Sequence, residues 1–133
     1  MRVKVYFNLH KKLFSVVAME GDDKGRVISH VDQIALAEPV FRVQQAGRRR
    51  VLKENRKNVH AYVSGYTCNL KDSTKMDGEA TYNPYKYSTF VDRKDGSPVR
   101  HREYCKLVVE NNKGKILALG KQKNVQKTIA SMN

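Results

Sequence analysis

The most conspicuous chemistry in the sequence is an arginine-rich segment, residues 42–60, which has the composition of an anion-binding surface. It holds seven Lys and Arg residues against one carboxylate, Glu54, so it carries +6 of a net charge of +13. The planar guanidinium group of arginine can donate two hydrogen bonds to phosphate oxygens, and clustered cations supply the attraction that dominates nucleic-acid affinity. The alternative is a solvated basic face without a ligand. The candidate nucleic-acid or anion-binding residues are Arg48, Arg49, Arg50, Lys53, Arg56, Lys57 and His60.

A second group of candidates lies in the aromatic segment 82–90. Four of the eleven aromatic residues fall within its nine positions, and the chain has no tryptophan. Tyrosine rings can stack on bases while an interleaved lysine holds phosphate. The more common alternative is that such tyrosines pack over the core with their hydroxyl groups at its rim. The candidate binding residues here are Tyr82, Tyr85, Lys86 and Tyr87.

The four histidines raise the question of a metal-dependent nuclease, in which a histidine would activate water. Asn58 with His60, and His101 with Glu103, form short pairs that could belong to such a site. Metal sites need several ligands, and no H-x-x-x-H, H-E-x-x-H or paired-cysteine spacing is present. We therefore predict polar surface histidines, no metal site and no cofactor.

Other enzyme signatures are also missing from the sequence. It contains no P-loop, no G-x-G-x-x-G and no G-x-S-x-G motif, and its eight glycines lie where turns are expected. A site assembled from scattered residues would leave no such motif. We therefore predict no catalytic residue and favour a non-enzymatic protein over an enzyme.

The composition is typical of one soluble globular domain. The net charge of +13 favours a negatively charged partner. With 133 residues, 40% hydrophobic and 29% charged, the chain can bury a core without disulfides or metals. No apolar run approaches the roughly 20 residues that cross a bilayer, and the N-terminal residues lack a signal peptide's apolar centre. Two distant cysteines, Cys68 and Cys105, indicate reduced thiols, one of them buried. We expect a cytoplasmic protein that does not contact membranes.

The elements that must position the candidate residues are mainly β-strands. Residues 2–7 alternate apolar and polar side chains, and further β-rich runs up to residue 43 are separated by turn signals, including a break at Glu38-Pro39. The segment 48–58 is ambiguous between a helix with a thin apolar stripe and part of a hairpin. We favour the hairpin, in which Arg48–Lys53 runs up, 54–58 turns and Val59–Tyr66 runs back.

The rest of the chain extends this pattern. Residues 67–81 predict a long loop, residues 82–91 an extended aromatic segment, and residues 111–114 (Asn-Asn-Lys-Gly) the turn of a hairpin. The tail, 121–133, predicts a short helix or a flexible basic end. The predicted fold class is α+β, mostly antiparallel β. It is a single compact domain, 1–133, of β-hairpins with a basic hairpin or short helix and a possible C-terminal helix.

Three segments carry a resemblance to known proteins. They are Phe7–Lys12 (FNLHKK), Gly47–Gly65 (GRRRVLKENRKNVHAYVSG) and Tyr82–Tyr85 (YNPY), together under a quarter of the chain. In them the chain resembles small uncharacterised accessory proteins of tailed bacteriophages. The resemblance implies a context, the cytoplasm of an infected bacterium and accessory or anti-defence work, and assigns no role to individual residues.

These observations lead to three hypotheses of function. The first is a non-enzymatic phage-type accessory protein that binds nucleic acid through the arginine-rich segment, with the tyrosines as a second contact. The alternative is an anti-defence or host-takeover protein. It would inhibit a host protein complex by binding an acidic surface of that complex, or sequester an anionic nucleotide signal. The third is a small metal-dependent nuclease.

Overall fold

The computed structural model describes residues 1–56, 58–69, 78–99, 104–112 and 115–122, which contain nine strands and one helix. The strands are Arg2–Asn8 (β1), Leu13–Ala18 (β2), Val27–Val31 (β3), Gln33–Val43 (β4), Ala61–Thr67 (β5), Gly78–Thr81 (β6), Val91–Asp92 (β7), Tyr104–Asn112 (β8) and Lys115–Gln122 (β9). The helix, Gln45–Glu54 (α1), lies between β4 and β5. The architecture is thus mostly antiparallel β with a helix, as predicted.

The nine strands form one sheet in the order β3-β2-β1-β5-β4-β8-β9-β6-β7, and every pair is antiparallel. β1, β2 and β3 pair in sequence as a meander, whereas the pairs β1–β5 and β4–β8 join distant parts of the chain. The pairing of β8 with β9 agrees with the predicted hairpin. Residues 113 and 114 of its turn lie outside the described residues.

Side-chain alternation along the strands sorts the residues onto two faces of the sheet. In β1, Val5 is buried, while its neighbours Lys4 and Tyr6 lie on the opposite face. Cross-strand register puts Val5 opposite Val16 of β2 and Val63 of β5, and all three belong to one core cluster. The period-two pattern of β1 in the sequence is therefore its burial pattern in the sheet.

The chain after β6 closes over this core. Tyr82 and Phe90 are buried with stacked rings 5.3 Å apart, and Phe90 contacts Phe41 of β4 at 4.9 Å between ring centroids. Two strands separate β4 from β6 in the sheet, so this contact requires the segment 82–90 to cross the buried face. The aromatic segment therefore covers the core instead of continuing the sheet.

The hairpin predicted from Arg48 to Tyr66 is wrong in its first arm, which is helix α1. The Gln44 carbonyl accepts the Arg48 N–H at 3.0 Å, and the helix ends at Asn55, a left-handed residue (φ 53°) whose N–H bonds the Val51 carbonyl. Val51 is the one buried residue of α1, so the apolar stripe that marks most helices is nearly absent. The second arm is confirmed as β5.

Three smaller predictions are corrected. Glu38-Pro39 does not end a strand, because β4 continues across a register shift between Ala37 and Val40, with Glu38 in a left-handed conformation (φ 47°). Part of the predicted loop 67–81 forms β6, and residues 70–77 lie outside the described residues. Segment 82–91 contains a turn and is not extended throughout.

Some predictions concern residues that the structure does not describe. The tail from residue 123 onward and the side chain of Cys105 lie outside the described residues, and Cys68 is half-buried after β5. In the described residues, the structure contains no helix with the length and apolar composition needed to cross a membrane.

Candidate nucleic-acid interface

Helix α1 presents two different sides. On its inner side Val51 is buried and Gly47 lies against His60, so close that a Cβ on residue 47 would be 2.6 Å from the His60 Cβ. The exposed cations of the helix are Arg49, Arg50 and Lys53. Glycine at position 47 therefore lets the helix approach the chain before β5, and that approach turns three cations to solvent.

Arg48 differs from its neighbours because its side chain is used within the protein. Its Nε–H donates to the backbone carbonyls of Pro84 (3.1 Å) and Tyr87 (2.9 Å). Three residues earlier in the sequence, the side-chain amide of Gln45 donates to the Ser88 carbonyl at 2.7 Å. Residues three apart share one side of a helix. These bonds fasten the segment 82–88, hereafter the tyrosine turn, to one flank of α1.

The tyrosine turn is closed by hydrogen bonds to Asn83. The Asn83 carbonyl accepts the N–H groups of Lys86 (3.1 Å) and Tyr87 (2.9 Å), and its Oδ1 accepts the Tyr85 N–H at 3.0 Å. Asparagine commonly stabilises turns in this way. The turn places Tyr85, which is 59% exposed, and the exposed Lys86 at its tip. The tip thus offers an aromatic ring and an ammonium group beside α1.

A buried histidine–tyrosine pair supports the start of the tyrosine turn. Only 6% of His60 and 6% of Tyr82 is exposed, and His60 Nε2 lies 2.6 Å from the Tyr82 hydroxyl. His60 Nδ1 lies 2.6 Å from the Asn58 carbonyl, which can only accept. In the neutral ring Nδ1 therefore carries the proton and Nε2 accepts the Tyr82 O–H. The pair links the chain before β5 to the start of the tyrosine turn.

The Tyr82 hydroxyl is held in its neutral form. Burial, which penalises the phenolate, raises the pKa of Tyr82 to about 12, and the nearby positive charge of Arg48 opposes that rise. At neutral pH the hydroxyl thus keeps its proton, which it can donate to the neutral His60 ring. Tyr82 serves the internal support of the turn.

The structure divides the predicted binding residues into separate sets. The exposed set comprises Arg49, Arg50, Lys53, Arg56, Tyr85 and Lys86. The residues engaged inside the protein are Arg48, His60 and Tyr82. Tyr87 is half-buried, and Lys57 lies outside the described residues. The prediction of a surface histidine is wrong for His60, because Gly47 and Tyr82 enclose it.

The geometry around His60 also bears on metal binding. Both of its ring nitrogens are within hydrogen-bond distance of protein groups, so neither is directed at a metal ion. Within the described parts of the chain, no group of three or more His, Cys, Asp or Glu residues could hold a metal. His101 and Glu103 lie outside those parts. The pairing of Asn58 with His60 is a structural contact.

Three positioning residues escaped the sequence-based reasoning. Gln45 and Asn83 orient the tyrosine turn, and Gly47 sets the distance between α1 and His60. Asn83-Pro84 is a common turn signal and could have revealed the turn. The role of Gly47 depends on a contact between separate segments, and no local pattern encodes it.

Fold and site together define a small basic protein with one antiparallel sheet and an exposed cationic helix carrying a tyrosine-tipped turn. The family described as Mycobacterium phage L5 gene 82 protein matches residues 1–126, and the chain belongs to this family. It is 40% identical over 104 residues to the "Gene 82 protein" of Mycobacterium phage L5, an alignment covering 74% of this chain and 82% of that protein. No solved structure matches the chain. The resemblance to small bacteriophage proteins is confirmed.

Proposed function

We propose that this phage protein is a non-enzymatic accessory protein that binds nucleic acid through the outer side of α1 and the tip of the tyrosine turn. The observation that carries the proposal is the docking of the turn on the helix. Arg48 and Gln45 hold Tyr85 and Lys86 beside the exposed cations of α1. A charge run and an aromatic cluster that are distant in sequence thereby become one surface.

The chemistry of this surface suits a phosphate backbone. Arg49 and Arg50 carry planar forks that can bind phosphate oxygens bidentately, and Lys53 adds a point charge. The single carboxylate of the helix is Glu54, at its last position. Tyr85 can stack on a base or a sugar at the edge of the site. Binding is driven mainly by counterion release and needs no particular sequence.

A salt titration with a charge-deleted variant tests the proposal. Fluorescence anisotropy of a labelled mixed-sequence DNA duplex gives log K against log salt for the wild type and for Arg49→Gln/Arg50→Gln/Lys53→Gln. We expect a steep linear fall for the wild type, and a slope smaller by roughly one for each lost phosphate contact in the variant. The absence of wild-type binding at low salt contradicts the proposal.

A matched control separates this site from net charge. Lys11→Gln/Lys24→Gln/Arg26→Gln removes the same three charges from exposed positions in the β1–β2 and β2–β3 turns. We expect this control to keep a wild-type slope, apart from a small long-range effect. Equal losses in the two triple variants mean that binding follows overall charge, which contradicts an interface on α1.

The anti-defence hypothesis supplies the competing outcome. The same cations could contact an acidic surface of a host complex or an anionic nucleotide. A pull-down from nuclease-treated bacterial lysate, with the α1 triple variant as control, distinguishes the cases. Nucleic-acid binding predicts that the partners bound by the wild type disappear after nuclease treatment. A protein partner that survives the treatment and is lost in the variant contradicts the nucleic-acid proposal.

A further inference from the structure

A second surface that pairs tyrosines with cations lies on the side of the sheet that faces away from the core. We call it the outer sheet face and define it by Arg2, Lys4 and Tyr6 of β1, Arg42 of β4, and Tyr62 and Tyr66 of β5. These residues alternate with buried ones such as Val5 and Val63. Three of the seven tyrosines of the chain therefore share one face of two adjacent strands, β1 and β5.

Strand register brings the cations next to the tyrosines. Arg2 pairs directly with Tyr66, and Arg42 pairs directly with Tyr62. Directly paired side chains on one face lie about 5 Å apart at Cβ. Each of the two β5 tyrosines thus has a guanidinium beside it.

Lys4 lies at the register position between the two β5 tyrosines. It pairs with Ser64, a small residue between Tyr62 and Tyr66, and its Nζ lies 5.3 Å from the centroid of the Tyr62 ring. Tyr62 and Tyr66 are four residues apart, or roughly 13 Å along a strand. Tyr66 is 46% exposed. An ammonium group beside an aromatic ring can hold a phosphate next to a base stacked on that face.

The charge of this face is one-sided. β1 and β5 contain no acidic residue, and the carboxylate of β4 is Glu38, in the irregularity between Ala37 and Val40. At one end of β1, a carboxylate oxygen of Glu20 accepts the backbone N–H of Arg2 at 2.8 Å. At the middle of the face, the register neighbours of Lys4 are Ser64 and Val17, so no carboxylate lies beside it on the adjacent strands.

We propose that the outer sheet face binds single-stranded nucleic acid, with bases on the rings of Tyr62 and Tyr66 and the backbone on Arg2, Lys4 and Arg42. Bases within a duplex are already stacked on both faces, so these rings can stack only on unpaired bases. The inference goes beyond the proposed function, since it uses different elements and a different form of nucleic acid. It does not require that α1 bind anything.

The side-chain test replaces the rings while keeping their apolar volume. We compare Tyr62→Leu/Tyr66→Leu with Tyr62→Phe/Tyr66→Phe, using an oligothymidylate about twelve nucleotides long and a duplex of the same length. We expect the leucine variant to bind the single strand about tenfold more weakly or worse, and the duplex almost unchanged. The phenylalanine variant keeps the rings and should bind both like the wild type, which also shows that the sheet folds without the hydroxyls. Wild-type affinity of the leucine variant for the single strand overturns the inference, as does an equal loss for the duplex.

Photo-crosslinking gives an independent readout on the wild-type protein. A single strand carrying 5-iodouracil should crosslink mainly to the tryptic peptides 5–11, with Tyr6, and 58–71, with Tyr62 and Tyr66. Crosslinks confined to peptide 76–86, with Tyr82 and Tyr85, overturn the inference. Parallel titrations with oligouridylate identify whether the preferred strand is RNA or DNA.

The two proposals fail separately. If the α1 triple variant binds duplex like the wild type, the helix is not an interface, and the outer sheet face is still judged by its leucine variant. If the leucine variant binds single strands like the wild type, the outer sheet face is rejected while the duplex titration still judges α1.

Discussion

The molecule carries two surfaces that combine cations with tyrosines, and they are built in opposite ways. On α1 the cations are contiguous in sequence, and a few polar side-chain bonds hold the tyrosine turn against them. On the outer sheet face the residues come from three strands, and backbone register holds them in place. Similar surface chemistry is therefore supported by side chains in one region and by the main chain in the other.

This difference predicts unequal sensitivity to mutation. The position of α1 depends on Val51, Gly47, His60 and the bonds of Arg48 and Gln45, so single substitutions should displace the helix or its turn. The outer sheet face rests on a ladder of strands above a shared core, so changing the side chains that define it should alter ligand contacts without moving the backbone. Each prediction below breaks the helix region while leaving the sheet face in place.

The largest effect is expected for His60→Ala. The substitution leaves the buried Tyr82 hydroxyl without its acceptor and creates a cavity beneath α1. We expect the free energy of unfolding to fall by about 3 kcal/mol. Urea denaturation gives this value, and hydrogen exchange should show protection lost in α1 before β1 and β5.

His10→Ala is the matched control for this substitution. His10 is exposed, and its backbone N–H donates to Asn8 Oδ1, so its imidazole can be removed without opening the core. We expect a change within about 0.5 kcal/mol. Equal destabilisation by the two substitutions, or uniform loss of protection through the sheet, contradicts a local role for His60.

Gly47→Ala should have the next largest effect. Alanine normally favours a helix over glycine by about 1 kcal/mol, but here its Cβ would lie 2.6 Å from the His60 Cβ. Overpacking of this kind costs roughly 1–3 kcal/mol, so after the helix-propensity gain we expect net destabilisation of up to about 2 kcal/mol. Thermal unfolding measures it, with Arg50→Ala on the exposed side as the control. Stabilisation by Gly47→Ala would show that the helix stands off from His60.

The sequence predicted much of the sheet because alternation is a local signal. Val3, Lys4 and Val5 show in three letters which residues face the core. The sequence favoured a hairpin over helix α1 for an equally physical reason. Its inner side is made by a glycine, a valine and two polar side chains that bond to carbonyls, and none of these produces an apolar stripe.

The candidate surfaces show the same division between local and long-range information. Charge density identified the cations of α1, but composition could not show that Arg48 differs from Arg49. The outer sheet face could not be predicted from the sequence, because Tyr6 and Tyr62 belong to strands whose pairing spans more than fifty residues. Register has to be known before such a face can be read.

Arg48→Ala should separate stability from binding within one arginine run. It removes both Nε–H bonds to the tyrosine turn, and we expect a loss of about 1.5 kcal/mol in unfolding free energy. Arg49→Ala, on the exposed side, should cost less than about 0.5 kcal/mol but weaken duplex binding directly. Urea denaturation and salt-dependent anisotropy on both variants give the comparison. The same ratio of stability loss to affinity loss in both variants contradicts separate roles.

The smallest effect at neutral pH is expected for Tyr82→Phe, and its sign depends on pH. Removing the hydroxyl loses the bond to His60 and costs about 1 kcal/mol. The pKa of Tyr82 is raised from 10.0 to about 12 in the folded protein. Its neutral form therefore contributes fully below pH 10, and that contribution is lost as the pH rises towards 12, because the unfolded chain releases the proton first. The phenylalanine variant lacks this loss, so its stability deficit should shrink between pH 9 and 12 in urea denaturation. A deficit that stays constant over this interval contradicts a buried hydroxyl at Tyr82, and with it the buried support that distinguishes the helix region from the sheet face.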